Sequence, residues 1–390
     1  MPDTATPASL DMIRRLVGFN TVSSESNLEL IEFARDYLAG LGAECRLFPD
    51  ASGTKANLYA TIGPPDRPGI MLSGHTDVVP VEGQDWHTDP FEVVETEGRL
   101  YGRGTADMKS FIAVALALAP EFVERGLETP VHFALSHDEE VGCVGVRSLV
   151  SAFAHMPVKP AMCIVGEPTG MRVVTAHKGK LAMETKVHGL ECHSSLAPSG
   201  VNAVEYAAEL VAFMKGMARR LAAEGPTDDA FDVPFTTVHV GRMDGGRTLN
   251  IVPGDCRLEW EFRHLPVQDS ESLLAEITAF AKDRLEPEMQ AVDAGTGFSW
   301  KEISYLPGLD TDPGEAVVTL VKELAGRNDH SKVAFGTEAG LFSGRAGIPT
   351  AICGPGSIDQ AHKPNEFITL DQVAACEAFM RRLMDRVCAR

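Results

Sequence analysis

The stretch Ile70-Met71-Leu72-Ser73-Gly74-His75-Thr76-Asp77-Val78-Val79-Pro80 decides how the chain is read. Its apolar start is a buried strand, and His75 stands where a parallel strand of an α/β sheet delivers side chains to a crevice. Asp77 can return beneath the imidazole. A carboxylate that accepts the proton of the far ring nitrogen fixes the tautomer and makes the other nitrogen a better metal donor. Taken alone, His-x-Asp is equally compatible with an ordinary loop, so the reading depends on what the other strand ends carry.

They carry acids. Tyr101-Gly102-Arg103-Gly104-Thr105-Ala106-Asp107-Met108-Lys109 runs from a glycine-rich turn into a helix, where Asp107 is either a ligand or a helix cap. His137-Asp138-Glu139-Glu140 ends the run Val131–Ser136, as a site or as a solvated turn closed by Val141-Gly142. Ile164-Val165-Gly166-Glu167-Pro168 again ends an apolar strand in an acid, and Gly354 through Glu366 sets His362 in a loop after another strand. His75, Asp107, Glu140, Glu167 and His362 form a ligand set for a pair of divalent metals, with Glu139 spare beside them as a general base. That combination points to metal-assisted hydrolysis.

Strands and helices alternate around these segments. Helices are predicted over Ser9–Phe19, Leu28–Leu41, Met108–Glu124 and Val146–Ala154, with strands at Cys45–Phe48, Asn57–Ile62, Gly69–Leu72, Val131–Leu135 and Ala161–Val165. The expected fold class is α/β, a sheet covered by helices on both faces. After Lys178-Gly179 the order changes to βαββαβ, with strands at Leu181–Val187, Thr236–Val240, Cys256–Phe262 and Phe298–Ile303 and helices at Asn202–Leu221 and Ser270–Leu285. This is a ferredoxin-like motif, complete in itself, and marks an inserted α+β domain. The expected division is 1–179 and 310–390 for the outer domain and 180–309 for the insert. Gly225–Asp232 and Asp244-Gly245-Gly246 read as loops.

Composition narrows the function classes. The 390 residues exceed what one core usually supports, and the formal charge of -20 disfavours nucleic acid and anionic membranes as partners. The eight cysteines are scattered without a CxxC pair and read as reduced thiols. Met1–Leu10 has neither a basic start nor a signal-like apolar run, so a cytoplasmic address is expected.

Taken in order, the five segments resemble the dizinc aminoacylase and deacylase family, which includes acetylornithine deacetylase, succinyl-diaminopimelate desuccinylase and bacterial glutamate carboxypeptidase. The resemblance implies a zinc-peptidase-like catalytic domain with a mixed sheet, interrupted by a lid and dimerisation domain. It implies two Zn²⁺ per subunit, with Co²⁺ a possible substitute: His75 and Glu167 on one, Glu140 and His362 on the other, Asp107 bridging. With a shared hydroxide each ion is four-coordinate, and three carboxylates plus hydroxide balance the two cations. Glu139 is then the general base, with Asp77 also assigned to the catalytic set. In the insert, His193 of Glu191-Cys192-His193-Ser194 resembles a histidine that reaches an active site across a dimer interface and donates to the oxyanion. Its alternative is a surface side chain. Asn250 and Arg263 fall where similar proteins hold substrate, Arg263 as a fork for an α-carboxylate or as an interface ion pair.

The segment Gly336-Thr337-Glu338-Ala339-Gly340 resembles the acetylornithine-cleaving branch, with Glu338 as a partner for a substrate ammonium or as a plain solvated acid. Arg345 nearby leaves room for a second substrate carboxylate. The activity implied is removal of acetyl from N2-acetyl-L-ornithine, for arginine synthesis, by a homodimer acting on a small N-acyl amino acid. Desuccinylation of N-succinyl-diaminopimelate, a broader N-acyl-amino-acid hydrolase, and a non-catalytic metal- or peptide-binding relative are the alternatives.

Overall fold

The computed structural model describes residues 5–389; of the stretch Met1–Leu10 just discussed, the first four residues lie outside it. The chain divides into two compact units, one of Met1–Ala176, Leu309–Lys332 and Thr337–Arg390, the other of His177–Gly308 with Val333–Gly336.

In the first unit, in chain order, the strands are β1 (Glu44–Pro49), β2 (Ala56–Ile62), β3 (Ile70–His75), β4 (Val94–Thr96), β5 (Arg99–Tyr101), β6 (Val131–Ser136), β7 (Met162–Pro168) and β8 (Val174–His177). The second unit holds β9 (Gly179–His188), β10 (Thr237–Gly245), β11 (Asp255–His264) and β12 (Gly297–Leu306). The first unit resumes with β13 (Leu309–Asp310), β14 (Ser331–Val333), β15 (Thr350–Gly354) and β16 (Phe367–Thr369). The large sheet runs β1-β2-β6-β3-β7-β15-β8-β13, with β14 paired to β8, and β16-β5-β4 form a small sheet.

The middle of the large sheet places the site. β6, β3, β7 and β15 are mutually parallel, flanked by antiparallel β2 on one side and β8 on the other. Parallel strands need crossovers, and here they are α-helices: α3 (Lys109–Glu124) between β3 and β6, and α4 (Val146–Phe153) between β6 and β7. The chain leaves β3 to one side for β6 and returns past it to β7, so β3 lies where the winding reverses. Side chains at the carboxyl ends of those strands converge on one crevice.

α1 (Pro7–Val17), α2 (Leu28–Gly40), α3, α8 (Ala316–Ala325) and α10 (Leu370–Val387) share one core with the strands, built on residues such as Ile13, Leu30, Phe111, Val321 and Phe379. On the other side Phe153 of α4 meets Phe342 of α9 (Ala339–Gly344) edge to face at 6.2 Å. α3 is buried almost all round, which explains its continuous run Phe-Ile-Ala-Val-Ala-Leu-Ala-Leu-Ala. β7 can approach it only because residue 166 is glycine: a Cβ there would lie 2.0 Å from Cγ of Phe111. That close approach places the next residue, Glu167.

The second unit is an antiparallel sheet ordered β10-β11-β9-β12, crossed by α5 (Ala203–Glu224) and by α6 (Ser270–Phe280), which continues through a π-turn into α7 (Glu286–Gln290). Numbered by position in the unit, the order is 2-3-1-4, as in a ferredoxin-like fold, around Trp260, Phe262, Leu210 and Ile277. β10 extends through Asp244-Gly245, read from sequence as a loop, because Met243–Gly245 keep pairing with Leu258–Cys256. The short strands β4, β5, β8, β13, β14 and β16 have no counterpart in the sequence reading; at two or three residues for most of them, no period is measurable.

Candidate metal centre

His75 is the last residue of β3 and is 1% exposed. Its Nδ1 lies 2.8 Å from the carbonyl oxygen of Asp77. A carbonyl only accepts, so Nδ1 carries a proton, and Nε2 is the nitrogen left facing the crevice, free to serve a cation once its own proton is lost. This corrects the expectation for Asp77: its carboxylate stays 3.7 Å from that nitrogen. Its oxygens instead accept the backbone N–H of Glu139 at 3.0 Å, the N–H of Glu140 at 3.2 Å and the Ser23 hydroxyl at 2.7 Å. Asp77 anchors the turn that carries the two glutamates, because a turn's free N–H groups are a better match for a carboxylate than an imidazole already satisfied by a carbonyl.

Asp107 is not a helix cap. α3 begins at Lys109 after Met108, with no side-chain capping bond, and a cis peptide joins Asp107 to Met108. The carboxylate is turned inward, with Oδ1 3.0 Å from Nε2 of His75 and Oδ2 3.4 Å from Nε2 of His362. One oxygen per imidazole is the arrangement of a carboxylate shared between two cations. His362 Nε2 also lies 3.0 Å from Glu140 Oε2. One donor atom each from His75, Asp107 and Glu140 fall within 4.8 Å of one another. Glu167, 4% exposed, has an Oε1 that accepts no hydrogen bond among the described residues.

Buried polar atoms are normally paired, and a carboxylate oxygen left without a donor, within the electrostatic reach of His75 and Asp107, fits a divalent cation. The charges agree. Burial, then Asp107 and Glu139, hold Glu167 well above the usual carboxylate range, and burial followed by Asp107 raises Glu140. His362 is raised to about 10 by hydrogen bonds to Asp107 and Glu140. Burial works against an ionised Asp107, but hydrogen bonds from His362 and His75 outweigh it and lower its pKa. A site that pulls protons onto neighbouring acids and imidazoles has a negative potential suited to cations.

Glu139 sits apart from these contacts. Its carboxylate accepts the Cys143 thiol at 3.2 Å, a partner the sequence reading missed, and enclosure together with Glu140, Asp107 and Asp77, against the pull of His75, pushes it up to about 8. The turn Asp138–Val144 is closed by N–H groups of Gly142 and Cys143 on the Glu139 carbonyl, with Asp138 and Cys143 at positive φ. Of the two readings of this segment, the turn is built rather than loosely solvated.

Glu338, expected either to meet a substrate ammonium or to be a plain solvated acid, is neither exposed nor short of partners. It is fully buried at the start of α9, where Ser73 donates to Oε1 at 2.6 Å and Ser136 to Oε2 at 2.7 Å. It ties β3 to β6 just before His75 and His137, because two inward serines on adjacent parallel strands need an acceptor once water is excluded. In the second unit, His193 is exposed, with Nδ1 2.7 Å from the Ser195 hydroxyl. Asn250 is exposed beside Thr248, and Arg263 points Nε at Glu261 of its own strand, 2.9 Å away. These residues belong to a different unit from the cluster around Asp107. Arg345 is exposed at the end of α9.

The model of the peptidase family M20/M25/M40 matches residues 71–386. The chain belongs to this family. Among full-length relatives, the acetylornithine deacetylase of Myxococcus xanthus is 35% identical, covering 100% of this chain and 99% of its own. The acetylornithine deacetylase of Proteus mirabilis is 33% identical over 98% of this chain and 97% of its own. In structure, an M20 family metallo-carboxypeptidase of Sulfolobus solfataricus superposes with a TM-score of 0.75 at 19% identity, covering 96% of this chain and 98% of that one. This M20 chain is an enzyme, a metallopeptidase-like amidohydrolase with a catalytic α/β domain and an α+β insert. Among the described residues no helix is long and apolar enough to cross a membrane.

Proposed function

We propose that this hydrolase removes the acetyl group of N2-acetyl-L-ornithine, giving L-ornithine and acetate, a step of arginine synthesis. The observation that carries the substrate is full-length identity of 33–35% to acetylornithine deacetylases. The chemistry rests on the cluster itself. His75 and Glu167 would hold one Zn²⁺ and Glu140 and His362 the other, with Asp107 shared; two imidazoles and three carboxylates suit zinc, and cobalt would substitute. Bound there, the ions would acidify a water and polarise the amide carbonyl.

The chain's own groups do the rest. Glu139, free of both imidazoles and steadied by Cys143, takes a proton from the attacking water and passes it to the departing amide nitrogen. Asp77 holds the backbone of Glu139 and Glu140 so that base and ligand keep their separation. His193 donates to the developing oxyanion, and Asn250 and Arg263 hold the substrate's amide and α-carboxylate, the insert serving as lid and dimer surface. Arg263 would exchange its contact with Glu261 for the substrate. We further propose a cytoplasmic homodimer acting on small N-acyl amino acids.

The decisive test is a kinetic comparison of N-acetylornithine with N-succinyl-diaminopimelate and other acylated amino acids, with and without chelator. Highest kcat/KM on acetylornithine, lost with chelator and restored by zinc, is the expected result. A preference for the succinylated substrate would overturn the substrate. Turnover that survives complete metal removal would overturn the chemistry.

A further inference from the structure

Arg103 and Glu366 are each 1% exposed and 2.7 Å apart, a fully enclosed ion pair that the hydrolytic chemistry above does not use. Enclosing two charges is unfavourable unless their remaining hydrogen-bonding capacity is met. Glu366 meets it with backbone: Oε1 accepts the N–H of Ala106 at 2.8 Å and that of Asp107 at 3.1 Å. Arg103 donates Nη1 to the Lys363 carbonyl at 3.3 Å and Nη2 to Oε1 of Gln84, and its guanidinium lies 5.1 Å from the Trp86 ring. Only its Nε finds no acceptor among the described residues.

The contacts fall on the backbone of two proposed ligands. Glu366 holds the peptide nitrogen of Asp107. Gln84, fixed by Arg103 and by the Trp86 indole N–H, donates Nε2 to the carbonyl of His362 at 3.3 Å. His362 has φ +63°, a left-handed conformation that is uncommon outside glycine and costs energy its contacts must offset. The loop after β15 has no ladder of its own to impose it. It is joined to the Asp107 turn through this pair, through the N–H of Gly102 on the Glu366 carbonyl at 2.9 Å, and through the pairing of Tyr101 with Phe367.

We propose that Arg103, Glu366 and Gln84 are positioning residues, a clamp that holds the His362 loop against the Asp107 turn and sets the affinity of the cation shared by Asp107, Glu140 and His362. The inference rests on the two-metal reading. It makes the clamp unequal in its effect: both ions share the Asp107 turn that Glu366 holds, but the cation on the His75 and Glu167 side keeps an imidazole placed by β3 and a carboxylate placed by β7, whereas the other depends on His362, whose loop the clamp also holds.

Zinc binding is the readout, measured by elemental analysis and by competition with a chromophoric chelator, with thermal unfolding of the metal-stripped protein alongside. His362→Ala marks the loss of one ion. Gln84→Ala, at a half-buried position, should weaken one of two zinc ions by about tenfold or more while the other keeps its affinity within about twofold, and Glu366→Gln, which also frees the shared Asp107 turn, should weaken that same ion several-fold more than the other. Arg103→Lys keeps the charge but not the fork, and should fall between parent and Glu366→Gln. The double variant Arg103→Met with Glu366→Gln should cost less than the sum of its parts.

If Gln84→Ala and a folded Glu366→Gln bind both ions as the parent does, the clamp is overturned. Equal weakening of both ions together with a lower unfolding temperature of stripped protein also overturns it, leaving a purely structural pair. A parent that binds no zinc fails the two-metal reading itself, and that outcome is distinct from the other two.

Discussion

Glu139 and Glu140 are neighbours of identical chemistry with opposite surroundings. Glu140 faces His362, while Glu139 faces the Cys143 thiol. Glu139→Gln should therefore keep both metals and lose about a hundredfold or more in kcat, as removal of a general base does. Glu140→Gln should lose metal first, seen as zinc content below that of the parent after dialysis. Parent-like turnover by Glu139→Gln would remove its role. The side chains proposed as ligands at residues 75, 107, 140, 167 and 362 could be singled out in the sequence because they end apolar runs, precede a helix or, for His362, stand in the loop after a strand. The partners of Asp77 and Glu338 were not. A sequence shows that a carboxylate can reach a neighbour, but whether it takes the ring nitrogen, a backbone N–H or two serines depends on which strands lie alongside.

Elements transmit these choices, and the tightest is the approach of β7 to α3. Gly166→Ala would drive a methyl into the Phe111 ring, and relief requires moving either the helix or the strand end that carries Glu167. A destabilisation of about 1–3 kcal/mol is expected, with weakened metal binding, from denaturant unfolding and chelator competition. Loss of stability with unaltered metal affinity would show that the helix, not the strand, gives way. β6 carries a second consequence. His132 is 5% exposed, stacked on Tyr59 and bonded through Nδ1 to Thr61, and burial lowers its pKa from 6.5 to about 4. The folded protein thus keeps it neutral, while the unfolded chain takes up a proton below about 6.5. Its contribution is intact above pH 6.5 and declines as pH falls to about 4, by about 3 kcal/mol in total. Unfolding of parent and His132→Gln at pH 7 and pH 4.5 checks this: the parent should lose more stability between the two. Equal losses would mean that His132 is not the group responsible. The long elements were readable from their periods, whereas strands of two or three residues exist only because a neighbour pairs with them.

For the whole molecule, binding of cations to the folded state and not to the unfolded chain adds stability by mass action. Chelation should lower the unfolding temperature, with recovery on adding zinc, followed by scanning calorimetry; an unchanged transition would argue against cations at the Asp107 cluster. By itself the sequence determined the α/β class, the ferredoxin-like insert and the types of the side chains that converge, because buried runs, their periods and the acids and imidazoles at their ends are local properties. Tertiary structure alone decided the use of each group: that Asp107 offers one oxygen to each imidazole, that Glu338 lies beneath the sheet's end, and that Glu366 grips the Asp107 turn from the far end of the chain. Those outcomes depend on excluded water and on donors brought together from distant segments, and a buried acid takes whichever donor the packing sets beside it.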